Sequence, residues 1–141
     1  MNATHKRRLL KLADFLDTVP PKRFDFRYWV GSTWKGKEDL SCGTTACALG
    51  WATTMPIFRR LGLRLMRSAT QDGSVVLQRN GEDLIASPEL AARYVFGLDR
   101  SSFRRLFIPT SIFTVLSSDQ LPGDATAKQV ARHIRTFVAR S

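Results

Sequence analysis

Few residues of this 141-residue chain could do covalent or metal chemistry. Both cysteines fall within one short stretch, Ser41-Cys42-Gly43-Thr44-Thr45-Ala46-Cys47-Ala48-Leu49-Gly50-Trp51-Ala52. Cys42 precedes an expected helix start, where unbonded amides and the helix dipole favour a thiolate. A cysteine nucleophile also needs a base within hydrogen-bond reach. The candidates are His5 and His133, each on a segment rich in charge. The acidic pairs Glu38-Asp39 and Glu82-Asp83 are adjacent in sequence. Acid–base catalysis instead needs two carboxyl groups facing each other across a gap, so these pairs read as turn chemistry.

The cysteines fit no reactive pattern closely. Papain-like enzymes carry Cys-Gly-x-Cys-Trp and use the second cysteine, followed by an aromatic residue. Here Cys47 precedes Ala48, and no Asn or Asp follows His133. Two thiolates meet one zinc ion most readily from a Cys-x2-Cys spacing, which Cys42 and Cys47 do not have. There is no glycine-rich phosphate loop and no nucleophile elbow. The expectation is a protein without enzymatic activity, cofactor or metal, in which Cys42, Cys47, Gly50 and Trp51 are structural core residues.

Charge carries the other functional signal. A formal net charge of +10 favours an anionic partner, an acidic protein or nucleic acid. No stretch approaches the roughly 20 apolar residues that cross a bilayer, so membrane insertion is not expected. His5, Lys6, Arg7 and Arg8 precede apolar residues that Lys11, Asp14 and Asp17 interrupt. That pattern is an amphipathic helix rather than a signal peptide, and the expected setting is cytoplasmic with reduced thiols.

Two arrangements of the cations suggest nucleic acid. In residues 22–40, Phe24, Phe26, Tyr28, Trp29 and Trp34 interleave with Lys22, Arg23, Arg27, Lys35 and Lys37. Rings in such a pattern either fill the core or form a stacking platform for single strands. Between residues 90 and 107, Ala92, Phe96-Gly97-Leu98, Phe103 and Leu106 resemble a helix-turn-helix. Its second helix would present Arg100, Arg104 and Arg105 to phosphates or guanine edges. Arg93 stands where such motifs want a small residue, and Pro109 shortens the second helix, so an ordinary helix corner explains the pattern equally well. The remaining basic residues, among them Arg59, Arg60, Arg64, Arg67, Arg132 and Arg135, spread over every segment.

These residues need a scaffold, and the pattern predicts a mostly helical α+β single domain spanning 1–141. A first helix over 4–18 has Leu9, Leu12, Ala13 and Leu16 on one face, with Thr4 as its cap and Pro20-Pro21 as its stop. The uncharged run from Ala46 to Met55, capped by Thr44 or Thr45 and ended by Pro56, predicts a central buried helix. Gly50 within it implies another backbone passing close, since glycine costs a helix about 1 kcal/mol relative to Ala. A further turn over 57–61 ends at Gly62. Residues 63–68 and 73–78 form an antiparallel hairpin through Gln71-Asp72-Gly73, and Asn80-Gly81 marks a second turn. Ser87-Pro88-Glu89 and Gly97 bound one helix, and Asp99 and Pro109 the next. After a loop rich in Ser, Thr, Pro and Gly, Thr126 with Gln129 caps a last helix with Val130, Ile134, Phe137 and Val138 on one face.

The segment Cys-Gly-Thr-Thr-Ala-Cys-Ala-Leu-Gly-Trp-Ala resembles one found in a group of small bacterial and phage proteins without an established activity. Trp29 upstream, and Phe96-Gly97-Leu98 and Leu106-Phe107 downstream, extend the likeness. Those proteins carry Cys-Gly-Thr-x-x-Cys-x-x-Gly-Trp or -His, then Phe-Gly-Leu…Leu-Phe. The resemblance covers Trp29 to Phe107 and implies a bacterial, phage or plasmid origin and an accessory role, with a phage-type inhibitor of a host system among the options.

Overall fold

The structure is a computed structural model, and it describes the chain except for residues 32–33, 35, 37–39, 41–43, 68–72, 80 and 110–119. The described residues form an α+β domain of six α-helices and one two-stranded antiparallel hairpin. In order they are α1 (Ala3–Leu16), a 3-10 turn at Pro21–Arg23, α2 (Ala48–Ala52), α3 (Pro56–Arg60), β1 (Leu63–Arg67), β2 (Gly73–Leu77), α4 (Pro88–Phe96), α5 (Arg100–Phe107) and α6 (Ala127–Ala139). The expected turn at Gln71-Asp72, Asn80 of the second turn, Glu38-Asp39 and most of the loop before α6 lie outside the described residues.

Helix α1 buries Leu9, Leu12, Ala13 and Leu16 on one face, as the periodicity predicts. It packs against α6, α4 and α2. Its cap is Asn2 rather than Thr4: the Asn2 side chain accepts from the His5 amide at 2.8 Å, filling one of the amides that a helix start leaves open. Arg135 of α6 reaches across to both Asp14 and Asp17, at 2.8 and 2.7 Å, pinning the two longest helices together. Strands β1 and β2 pair in register from Leu63 with Leu77 to Arg67 with Gly73. Ile85 adds an isolated bridge to Leu77, and α4 covers β2. A two-stranded ribbon needs such support to persist in water.

The expected helix over 46–55 is shorter than its composition predicts. Ala46 is held in a parallel bridge with Phe24, its amide donating to the Arg23 carbonyl at 3.2 Å. The Cys47 amide donates to the Tyr28 carbonyl at 2.9 Å. These pairings commit Ala46 and Cys47 to extended backbone, so α2 starts at Ala48 with Cys47, not Thr44 or Thr45, at the cap position. At the other end the hydroxyls of Thr53 and Thr54 donate back to the carbonyls of Gly50 and Trp51, at 2.6 and 2.7 Å. Such local bonds compete with helix continuation. Pro56 then begins α3 instead of merely stopping its predecessor. All five residues of α2 are buried, so the central helix is present as one compact turn.

Gly50 meets the expectation in detail. A Cβ there would run into the carbonyl oxygen of Trp29, and only glycine lets the two backbones cross at that depth. Most neighbouring rings fill the core: Phe24, Phe26 and Trp34 are buried and Trp29 is half-buried. Tyr28 departs from the alternation, because the chain turns at residues 26–27 and leaves its ring 55% exposed. A relay of ring contacts runs from Trp29 through Phe103, Phe107 and Phe96 to Phe58, with centroids 5.1–6.2 Å apart. It welds α3, α4 and α5 to the segment before α2.

Candidate functional site

Three regions stand as candidates: the cysteine stretch, the α4–α5 corner and the basic surface. In the first, Cys47, Gly50 and Trp51 lie in the core, and Cys42 lies outside the described residues. Arg23 staples this stretch from outside. Its guanidinium donates to the carbonyls of Thr44, at 2.9 Å, and Leu40, and sits 5.2 Å from the Trp51 ring centre. The Trp51 indole N–H donates in turn to the Arg23 carbonyl at 2.9 Å. Arg23 and Trp51 therefore hold each other and the chain around α2.

Cys47 is a free thiol, fully enclosed. Burial pushes it up to about 12, the amides of Gly50 and Leu49 offset part of that, and the Asp25 carboxylate adds to the rise. A thiol so raised carries almost no thiolate near neutral pH, and the thiolate is the nucleophile. Both histidines are engaged elsewhere. His5 packs its imidazole over Gly97, where a Cβ would collide with the ring, and His133 brings Nε2 to 3.1 Å from the Arg105 carbonyl. Burial, then the nearby charges of Arg8 and the N-terminus, hold His5 below its ordinary value. Among the described residues no three His, Cys, Asp or Glu side chains gather as a metal site would require.

The α4–α5 corner has the local geometry that its residues predict. Ser87 accepts from the Leu90 amide at 3.3 Å, and Pro88 stands in the first turn. Gly97 closes α4 at φ +65°, a conformation that favours glycine. Asp99 caps α5 by accepting from the Ser102 amide at 2.8 Å; that bond, foremost, holds its carboxyl below the usual carboxylate range. Ala92, Phe96, Leu98, Phe103 and Leu106 are all buried, so the apolar positions of the motif face inward. Arg93 is exposed and 3.9 Å from Glu89, and so does not occupy the inter-helix contact where a small residue is wanted. Arg100 and Arg104 are exposed on α5, while Arg105 is half-buried. The three arginines therefore do not form one outward row.

The basic surface was the least legible region. Arg7 and Lys11 of α1, Arg59 and Arg60 of α3, and Arg100 and Arg104 of α5 all face solvent. Two open grooves of about 380 and 450 Å³ run beside α3 and share Arg60 and Leu61. No carboxylate is among the described lining residues of either groove, although Glu82 pairs with Arg79 at the rim of one. Sequence reasoning took these cations as spread over the whole body, because the residues come from segments far apart in the chain. Nothing in the local pattern of any one segment shows that they converge.

No known protein family, characterised protein or solved structure matches the chain. No helix among the described residues is long and apolar enough to cross a membrane.

Proposed function

We propose that this is a non-enzymatic accessory protein that binds an anionic macromolecule through its basic surface. The observation that carries the reading is the position of the cations: with a net charge of +10, Arg7, Lys11, Arg59 and Arg60 are exposed along two open grooves beside α3, where Arg79 is paired with Glu82. Such a surface raises encounter rates with negative partners and makes binding sensitive to salt. The thiol at Cys47 supports the same reading from the other side, since burial leaves it unsuited to nucleophilic work. Titration at low salt against a duplex DNA and a polyglutamate tests the proposal. Binding of either, weakened steeply by added salt, supports it, and no binding of both overturns it.

A second reading, DNA recognition by residues 90–107, draws on the left-handed turn at Gly97 and the exposed Arg100 and Arg104. It predicts that Arg104→Ala/Arg105→Ala abolishes salt-dependent DNA binding. Absence of DNA binding at low salt overturns it.

A further inference from the structure

Resting on the reading of an anionic partner, we propose that the two grooves meeting at Arg60 form one continuous site for the phosphate backbone of a nucleic-acid duplex. The first groove is edged by Arg7, Arg8 and Lys11 of α1, and by Arg60. The second is edged by Arg59 and Arg60 at the end of α3, Arg64 on β1 and Arg79 just after β2. Because Arg60 and Leu61 belong to both, the two grooves adjoin at the end of α3.

Three features favour duplex backbone over other anions. All of these cations except Lys11 are arginines, whose planar forks match phosphate oxygens in pairs. They come from α1, α3, β1 and the residues just after β2, elements whose apolar faces pack on the core, so folding brings charge from several segments to this side of the domain. Single strands are bound by stacking bases on free rings as well as by charge. Among the described residues Tyr94 is the one aromatic residue lining either groove, and Arg79 covers it at 4.4 Å from the ring centre while also donating to its hydroxyl at 2.8 Å. Glu82 meets the same Arg79 at 2.5 Å, setting the guanidinium at the groove edge. The face thus offers charge without a stacking platform, which suits contact with a backbone and not with bases. Such contact reads no sequence.

The α5 face compares poorly as a backbone site. Asp99 caps the helix there, Glu89 stands beside Arg93, and Arg105 is half-buried, so Arg100 and Arg104 are the two exposed arginines of α5, fewer cations than the two grooves together present.

The test is fluorescence anisotropy of a mixed-sequence DNA duplex of about 20 base pairs, at salt near 50 mM and upward, where counterion release is readily seen. It compares the full-length protein, Lys11→Glu/Arg60→Glu and Arg100→Glu/Arg104→Glu, all four positions being exposed. The account expects the first variant to lose about tenfold or more in affinity, with a salt slope shallower by about two, one for each phosphate contact removed. The α5 variant should remain within about twofold. Lys11→Gln/Arg60→Gln should lose less than the charge reversal, in the same direction, and guards against misfolding of the reversed variant. Equal affinity in groove variant and wild type overturns the site, as does a larger loss in the α5 variant. Tighter binding of the matching single strand overturns the duplex assignment. If polyglutamate binds and the duplex does not, this proposal falls while the anionic-partner reading stands; if neither binds, both fall.

Discussion

The turn around Cys47 and the grooves around Arg60 use opposite physical means. At α2 a residue capable of chemistry is enclosed by small side chains and a crossing backbone, and burial pushes its thiol up to about 12, which disfavours the thiolate. At the grooves no side chain is chemically unusual, yet placement gives one face a charge that no single segment has. The difference teaches that a distinctive sequence stretch and a concentration of surface charge need not coincide.

The largest expected effect is at the backbone crossing. Gly50→Ala should destabilise the fold by about 3 kcal/mol or more, as overpacking against a carbonyl cannot relax the way a side-chain clash can. Denaturant titration measures it, and a loss below 1 kcal/mol would mean the crossing is looser than described. Cys47→Ser should cost about 1–3 kcal/mol, because a hydroxyl enters an apolar enclosure, with polyanion affinity unchanged. Inactivity at undiminished stability would instead make Cys47 functional and collapse the contrast between the two regions.

Smaller effects sharpen the outer half of the comparison. Asp99→Ala should cost about 1 kcal/mol through loss of the α5 cap. The hydrogen bond from the Ser102 amide holds the Asp99 carboxyl below the usual carboxylate range, so its contribution is present above the ordinary carboxylate value and fades as pH falls through the lowered one. Equal acid sensitivity of wild type and variant near that pH would contradict the cap. Arg135→Ala removes two partly exposed ion pairs between α1 and α6. Exposed pairs are weak, so the thermal midpoint should shift by no more than about 1 kcal/mol implies, with polyanion binding nearly unchanged.

Much of the fold was legible wherever local chemistry decides it. Ser87-Pro88 and Gly97 around α4, Asp99 before α5, and the reciprocal Thr126–Gln129 capping box at α6 all stand where the residue types place them. Gly50 announced a close backbone. Where long-range pairing decides, local signals misled. Ala46 and Cys47 looked helical, but residues 23–28 claim their backbone groups and delay α2 by two residues. Tyr28 looked like part of an inward alternation until a turn rotated it outward. The candidate grooves were illegible for the same reason, since Lys11 joins Arg60 in one groove and Arg79 joins Arg60 in the other only after folding. At the α4–α5 corner the apolar positions were readable, but the half-burial of Arg105 depends on packing with α6.

The most direct measurement sets the two regions against each other in one binding assay. Duplex affinity at low salt is compared for Cys42→Ser/Cys47→Ala and for Lys11→Glu/Arg60→Glu, each first shown to be folded by circular dichroism. The account predicts that the cysteine-free protein binds as the native one does and that the groove variant loses about tenfold or more. Lost binding without cysteines, together with full binding after charge reversal, would contradict it.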